Sequence, residues 1–146
     1  MRKSLGVFVL IALGLAMVGC GSGPNSTNVN GNWSAKLTNS SDGSTAYTFN
    51  TTFSEMNDGS LTITNFSFTS SGTCFEGQTT QTGSFTLSGD FSGNVKGTFG
   101  LTVTSSTGNI LTLQGGVGPN NTLTGNWSVT GSTACVGSGT FIFNRS

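Results

Sequence analysis

The sequence predicts an all-β protein, an eight-stranded antiparallel up-and-down β-barrel behind an N-terminal export segment, with a two-sheet β-sandwich as the alternative. Three observations carry this expectation. From Gly31 onward, apolar residues alternate with Ser, Thr, Asn or Lys, the period of a strand with one buried face. The alternating runs are separated by clusters of Gly, Asn and Asp that supply the backbone conformations of tight hairpins. No helical period occurs outside the first twenty residues.

Eight runs follow in order. The first holds Trp33, Ala35 and Leu37, and the second holds Tyr47, Phe49 and Phe53 and ends at Glu55. The third begins with Leu61 and Ile63 and slips phase to Phe66 and Phe68, which predicts a bulge around Asn65. Phe85 and Leu87 mark the fourth; Val95, Phe99, Leu101 and Val103 the fifth; Leu111 and Leu113 the sixth. Leu123, Trp127 and Val129 mark the seventh, and Phe141 and Phe143 the eighth. The connections Ser41-Asp42-Gly43, Asn57-Asp58-Gly59, Phe91-Ser92-Gly93-Asn94, Thr107-Gly108-Asn109 and Gly118-Pro119-Asn120 read as turns, so successive strands form a meander. Closing that meander buries its apolar face and removes both free edges. In such a barrel, connections 1-2, 3-4, 5-6 and 7-8 share one end, and the chain termini lie at the other. The longest connection, Ser70 to Thr82, falls at the end remote from the termini.

Composition narrows the chemistry. Of 146 residues only 7% are charged, the formal net charge is zero and there is no His. Common zinc sites, Ser-His-Asp triads and His general bases therefore lack their parts. Five Lys and Arg are too few for a polybasic nucleic-acid surface. No cofactor or metal is expected, and the chain reads as a non-enzyme.

Residues 1–19 read as a signal peptide, with Arg2 and Lys3 ahead of an apolar stretch from Leu5 to Val18 that is too short for a transmembrane helix. Met17-Val18-Gly19-Cys20 resembles the lipobox of bacterial lipoproteins, with Met where Leu is usual. The resemblance implies that Cys20 is lipidated and becomes the new N-terminus, and acyl chains make a stable anchor at about 0.8 kcal/mol per buried methylene. Residues 20–30 would then be the lipidated Cys and a flexible tether, and 31–146 the barrel domain. Gly21 is not the Asp that retains such lipoproteins at the inner membrane. The expected location is thus the outer membrane, on its periplasmic or surface face.

A second resemblance rests on Val29-Asn30-Gly31-Asn32-Trp33, which is similar to the G-x-W that opens the first strand of lipocalins and avidins, both eight-stranded barrels. No biotin-site pattern extends beyond Trp33. The Ser/Thr/Gly-rich chain as a whole is also similar in style to function-unassigned bacterial lipoproteins. Internally, Asn65-Phe66-Ser67-Phe68-Thr69 leading to Cys74 is echoed by Asn126-Trp127-Ser128-Val129-Thr130 leading to Cys135.

The remaining candidates follow from these elements. With Cys20 assigned to lipid, Cys74 and Cys135 are left to form a disulfide in an oxidising compartment, the alternative being two buried thiols. Because a disulfide spans only about 5.5 Å between Cα atoms, it would draw the long 3-4 connection across the barrel mouth. That clamped loop, presenting Phe75, Glu76 and Gln78 beside the turns at Asp42 and Gly108, is the expected partner-binding surface, or else Phe75 plugs the mouth. Trp33, Tyr47, Phe49 and Trp127 are candidates for lining a small apolar ligand site, with core filling as the alternative. Asp42 and Asp58 read as turn residues. Glu55 shares the inward parity of Phe53 but is expected to face water at its strand end.

The functional expectation is a lipid-anchored binding module taking a small apolar ligand or an envelope protein. Alternatives are a passive structural surface lipoprotein, a hydrolase-inhibitor-like lipoprotein, or a barrel embedded in the outer membrane, whose apolar-out alternation would look the same in sequence.

Overall fold

The computed structural model describes residues 29–88 and 96–146; the side chains of Leu87, Ser88 and Lys96 are not described. The signal segment, Cys20, most of the tether, Asp90, the 91–94 turn and Val95 lie outside the described residues.

Alternation produces the strands where expected. They are β1 (Gly31–Asn39), β2 (Thr45–Glu55), β3 (Ser60–Ser70), β4 (Thr79–Ser88), β5 (Lys96–Ser105), β6 (Ile110–Gly118), β7 (Thr122–Thr130) and β8 (Gly137–Arg145). Each pairs antiparallel with the next, and β1 pairs with β8, closing an eight-stranded barrel. The sandwich alternative is thereby set aside.

The phase of the alternation is apolar inward. Trp33, Leu37, Phe49, Phe53, Phe85, Phe99, Leu101, Val103, Leu111, Leu113, Leu123, Phe141 and Phe143 are buried. Rings meet across the interior: Phe143 lies 5.4 Å from Phe49, 5.8 Å from Phe53 and 5.3 Å from Phe99 between centroids. Tilted and edge-to-face rings at these separations are the favoured packing of aromatic cores. The outer wall carries hydroxyls instead, as in the cross-strand row Thr82↔Thr102↔Thr112↔Ser128. A wall facing lipid would need an apolar band there, so this wall does not suit the membrane-embedded alternative.

The phase slip in β3 is a bulge. Asn65 adopts φ 51°, and the β2–β3 register shifts between Asn50 and Thr52, which returns Phe66 and Phe68 to the inner side. Below the bulge, β3 meets β4 only at Ser60↔Ser84 and Leu61↔Gly83, whereas β4 pairs with β5 along its whole length, from Thr79↔Ser105 to Ser88↔Lys96.

One boundary differs from the sequence reading. β4 begins at Thr79, so the long connection spans 71–78 and is shorter than Ser70 to Thr82. The reason is that Thr79, Gln81 and Gly83 occupy inward register positions opposite Ser105, Val103 and Leu101 without supplying apolar side chains, which hides the start of the strand from an alternation test.

Candidate functional site

The connections 71–78, 106–109 and 131–136 are gathered at the end of the barrel remote from Val29. Cys74 and Cys135 form a disulfide with a Cα–Cα distance of 5.5 Å, across a sequence separation of 61. Both are buried. The 3-4 connection is thus tied to the 7-8 connection as the clamped-loop reading requires.

A second fastener lies beside it. Asn109 is 4% exposed and uses its whole amide: Nδ2 donates to the Cys74 carbonyl at 2.9 Å, and Oδ1 accepts from the Ser132 backbone N–H at 3.0 Å. Its own backbone N–H donates to Ser105 Oγ at 3.0 Å. One side chain therefore joins three connections, and the Ser106 N–H adds a bond to the Gln78 carbonyl at 3.1 Å. Connection 1-2 is held by the Ser40 N–H donating to the Ser138 carbonyl at 3.0 Å.

Phe75 points inward. It is 3% exposed, stacked on Phe68 at 5.2 Å and edge-on to Tyr47 at 5.6 Å. Burial of a side chain this large contributes on the order of 2 kcal/mol. Phe75 is the plug of the mouth, and the outward surface expected of it falls to its neighbours Glu76 and Gln78, both exposed, with Asp42 and Gly108 also exposed on the adjacent turns.

The four aromatic candidates for a ligand site are engaged with the protein itself. Trp33 Nε1 donates to the Val29 carbonyl at 2.8 Å, and Trp127 Nε1 donates to the Thr38 carbonyl at 3.1 Å. Gly139 permits the second bond, because a Cβ there would collide with the same Thr38 carbonyl and sit 2.8 Å from the indole nitrogen. Tyr47 lies edge-on to Trp127 at 5.5 Å, and its partial burial raises the phenol pKa. Phe49 is 1% exposed and packs on Phe66 at 4.8 Å. These residues fill the barrel.

At the other end, Val29 is fully buried beneath Trp33. Arg145, paired with Trp33 in register, donates from Nη1 to the Asn30 carbonyl at 3.0 Å; desolvation lowers its pKa. An open recess of about 570 Å³ here is lined by Asn30, Glu55, Asp58 and Phe85 among others. Glu55 is half-buried at its rim, and its backbone N–H donates to Asn30 Oδ1. Asp58 accepts from the N–H and Oγ of Ser60, and Asp42 accepts from the same groups of Ser44. These bonds favour the ionised forms and lower both carboxyl pKa values. Both aspartates thus play the turn role expected of them. Among the described residues, no three Cys, Asp or Glu side chains converge as metal ligands.

Sequence reasoning missed Asn109 and Arg145. Asn109 belongs to a turn motif, and nothing in Thr107-Gly108-Asn109 separates a buried amide from a solvated one. Arg145 did carry a signal, since it shares the inward parity of Phe141 and Phe143. Comparison of the chain with protein-family models, with curated proteins and with solved structures finds no match.

Proposed function

We propose that this chain is a lipid-anchored, non-enzymatic binding module of the bacterial envelope, attached through Cys20 and engaging a protein partner with the clamped end of its barrel. The observation that carries the reading is the double fastening of the 71–78 connection, by the Cys74–Cys135 disulfide and by Asn109, on the face remote from Val29. A loop ordered on a rigid scaffold holds its exposed side chains in place before a partner arrives, which lowers the entropy lost on binding. Glu76 and Gln78 are those side chains. The aromatic filling of the interior by Phe49, Phe53, Phe99 and Phe143 supports a protein partner over a small apolar ligand.

Attachment and outer-membrane location rest on Met17-Val18-Gly19-Cys20 and on Gly21. The tether of residues 20–30 would place the clamped end away from the membrane. A second reading, a passive hydroxyl-rich coat, is favoured by the Thr and Ser rows of the outer wall.

The test has two arms. Fatty-acid labelling in the native cell should mark the wild-type chain and be lost in Cys20→Ser; equal labelling of both rejects the anchor. Photo-crosslinkers placed at the exposed Thr73 and Thr133 should capture one defined protein, and Glu76→Ala with Gln78→Ala should abolish capture without lowering Tm. Capture that survives this double change but is lost on altering Asp58 or Asn120 assigns binding to the opposite end, and no capture at either end favours the coat.

A further inference from the structure

The seam between β3 and β4 departs from the other seven. Beyond Leu61↔Gly83 the two strands part: Thr62–Ser70 of β3 and Thr79–Thr82 of β4 have no strand partner across the seam among the described residues. On their other sides β4 is paired with β5 throughout Thr79–Thr82, and β3 is paired with β2 on both sides of its bulge, at Thr62, Ile63 and Thr64 and again at Ser67, Phe68 and Ser70. Away from the bulge at Asn65 their backbones are therefore already extended, with alternate N–H and C=O groups directed at the fork.

The fork has a local cause and a prop. Ile63 sits at its apex over Gly83, where a Cβ would stand 3.1 Å from Ile63 Cδ1 and 3.2 Å from the Gly100 carbonyl. One residue past Thr64, the bulge at Asn65 redirects β3. The connection 71–78, which joins the far ends of the two strands, is pinned to the 7-8 connection by the disulfide and to Asn109 by hydrogen bonding. Zipping the seam shut would require that pinned connection to move.

We infer that this fork accepts one extended, uncharged peptide strand from a partner protein, inserted between β3 and β4. Backbone donors and acceptors spaced along a strand edge are matched by another extended polypeptide, in the manner of β-strand addition. An acyl chain would fill the space and leave those groups unpaired. The side chains agree. Ile63, Phe66 and Phe68 are only half-buried, unlike the fully inward rings of the neighbouring strands, and offer apolar contacts to every second residue of an incoming strand. On the β4 side, Gln81 Nε2 donates to Thr79 Oγ1 at 2.6 Å, which leaves the Gln81 carbonyl to receive a donor. Neither Ser60–Ser70 nor Thr79–Ser88 contains a charged residue, so selection is for a neutral strand. This site adjoins the connection that carries Glu76 and Gln78, but it is built from the backbone edges of β3 and β4 and does not use those two side chains.

Hydrogen exchange on the full-length protein tests the inference, with a lysine-capped (Thr-Val)4 peptide as probe. Before addition, amides directed at the fork from Thr62–Ser70 and Thr79–Thr82 should exchange faster than those of the paired β5 and β6. The peptide should slow exchange on both walls by about tenfold or more, the equivalent of roughly 1.4 kcal/mol. The same peptide N-methylated at every valine should lose protection on at least one wall. Glu76→Ala with Gln78→Ala should leave the protection intact. The inference is overturned if fork amides are already protected in the free protein, if the parent peptide protects neither wall at millimolar concentration, or if the N-methylated peptide or palmitate protects equally well.

Discussion

The guanidinium carbon of Arg145 lies 4.8 Å from the centroid of the Trp33 ring, so the last strand caps the first across the end of the barrel. The same guanidinium bonds the Asn30 carbonyl, while the Trp33 indole bonds the Val29 carbonyl. Together these contacts fold the segment before β1 under the barrel as a floor. A cation over an indole contributes about 0.5–1 kcal/mol at an exposed position, and a hydrogen bond that is itself solvent-exposed, as this one is, adds a similar amount. Arg145→Ala should therefore destabilise the protein by about 1–2 kcal/mol in urea titration. Arg145→Lys should recover part of that loss, since a point charge keeps the attraction but not the planar stacking. An unchanged midpoint for Arg145→Ala would show that the floor holds without its cap.

Removing the disulfide bears on the opposite end. Closing a loop of about 60 residues contributes on the order of 4 kcal/mol in the chain-entropy model. Cys74→Ser with Cys135→Ser should lower stability by an amount of that order, and mass spectrometry of the wild type should gain two hydrogens on reduction. Two freely alkylated thiols in the unreduced native protein would remove the assignment.

How far the sequence foretold these features depends on whether a residue belongs to a periodic segment. Trp33, Phe49, Phe99 and Phe143 announce themselves because each recurs at the two-residue spacing of a strand, and the bulge at Asn65 shows as a break in that spacing. The start of β4 was silent, because Thr79, Gln81 and Gly83 take inward positions without apolar side chains. The cysteine pair was legible by counting. The inward turn of Phe75 was one of two outcomes, since a loop side chain has no period to fix its direction.

Acid should probe the two Asx turns. Asp42 and Asp58 are ionised more readily in the folded chain than at their ordinary value of 3.8, chiefly through the hydroxyls of Ser44 and Ser60. A carboxyl with a depressed folded pKa stabilises the fold fully above its unfolded value, and that contribution disappears as pH falls through the lower folded value. Thermal midpoints should therefore drop as pH is lowered below about 4. Asp42→Asn with Asp58→Asn should flatten that acid limb while changing stability little between two acid pH values. A limb of unchanged slope in the double variant would place its origin in other carboxyls. Because both aspartates are fully exposed, the effect should also shrink as salt is added.

Asn109 separates the covalent fastening of the clamped end from the hydrogen-bonded one. Its amide satisfies the Cys74 carbonyl and the Ser132 N–H, two backbone groups on different connections. Truncation to Ala leaves both without their partner in a buried setting, at about 1–3 kcal/mol for each group that water cannot reach. Asn109→Asp is the sharper change. It keeps the acceptor for Ser132 but replaces the donor with a carboxylate facing the Cys74 carbonyl, two acceptors in contact. Asp at this position should therefore cost at least as much as Ala at neutral pH, and should recover as pH falls and the carboxyl regains a proton to donate. With the disulfide intact, the loss in both variants should be concentrated in faster hydrogen exchange over 71–78 and 131–136, leaving β5 and β6 close to wild type. If exchange instead accelerates evenly around the barrel, Asn109 supports the fold as a whole and the clamped end has no separate fastening of its own.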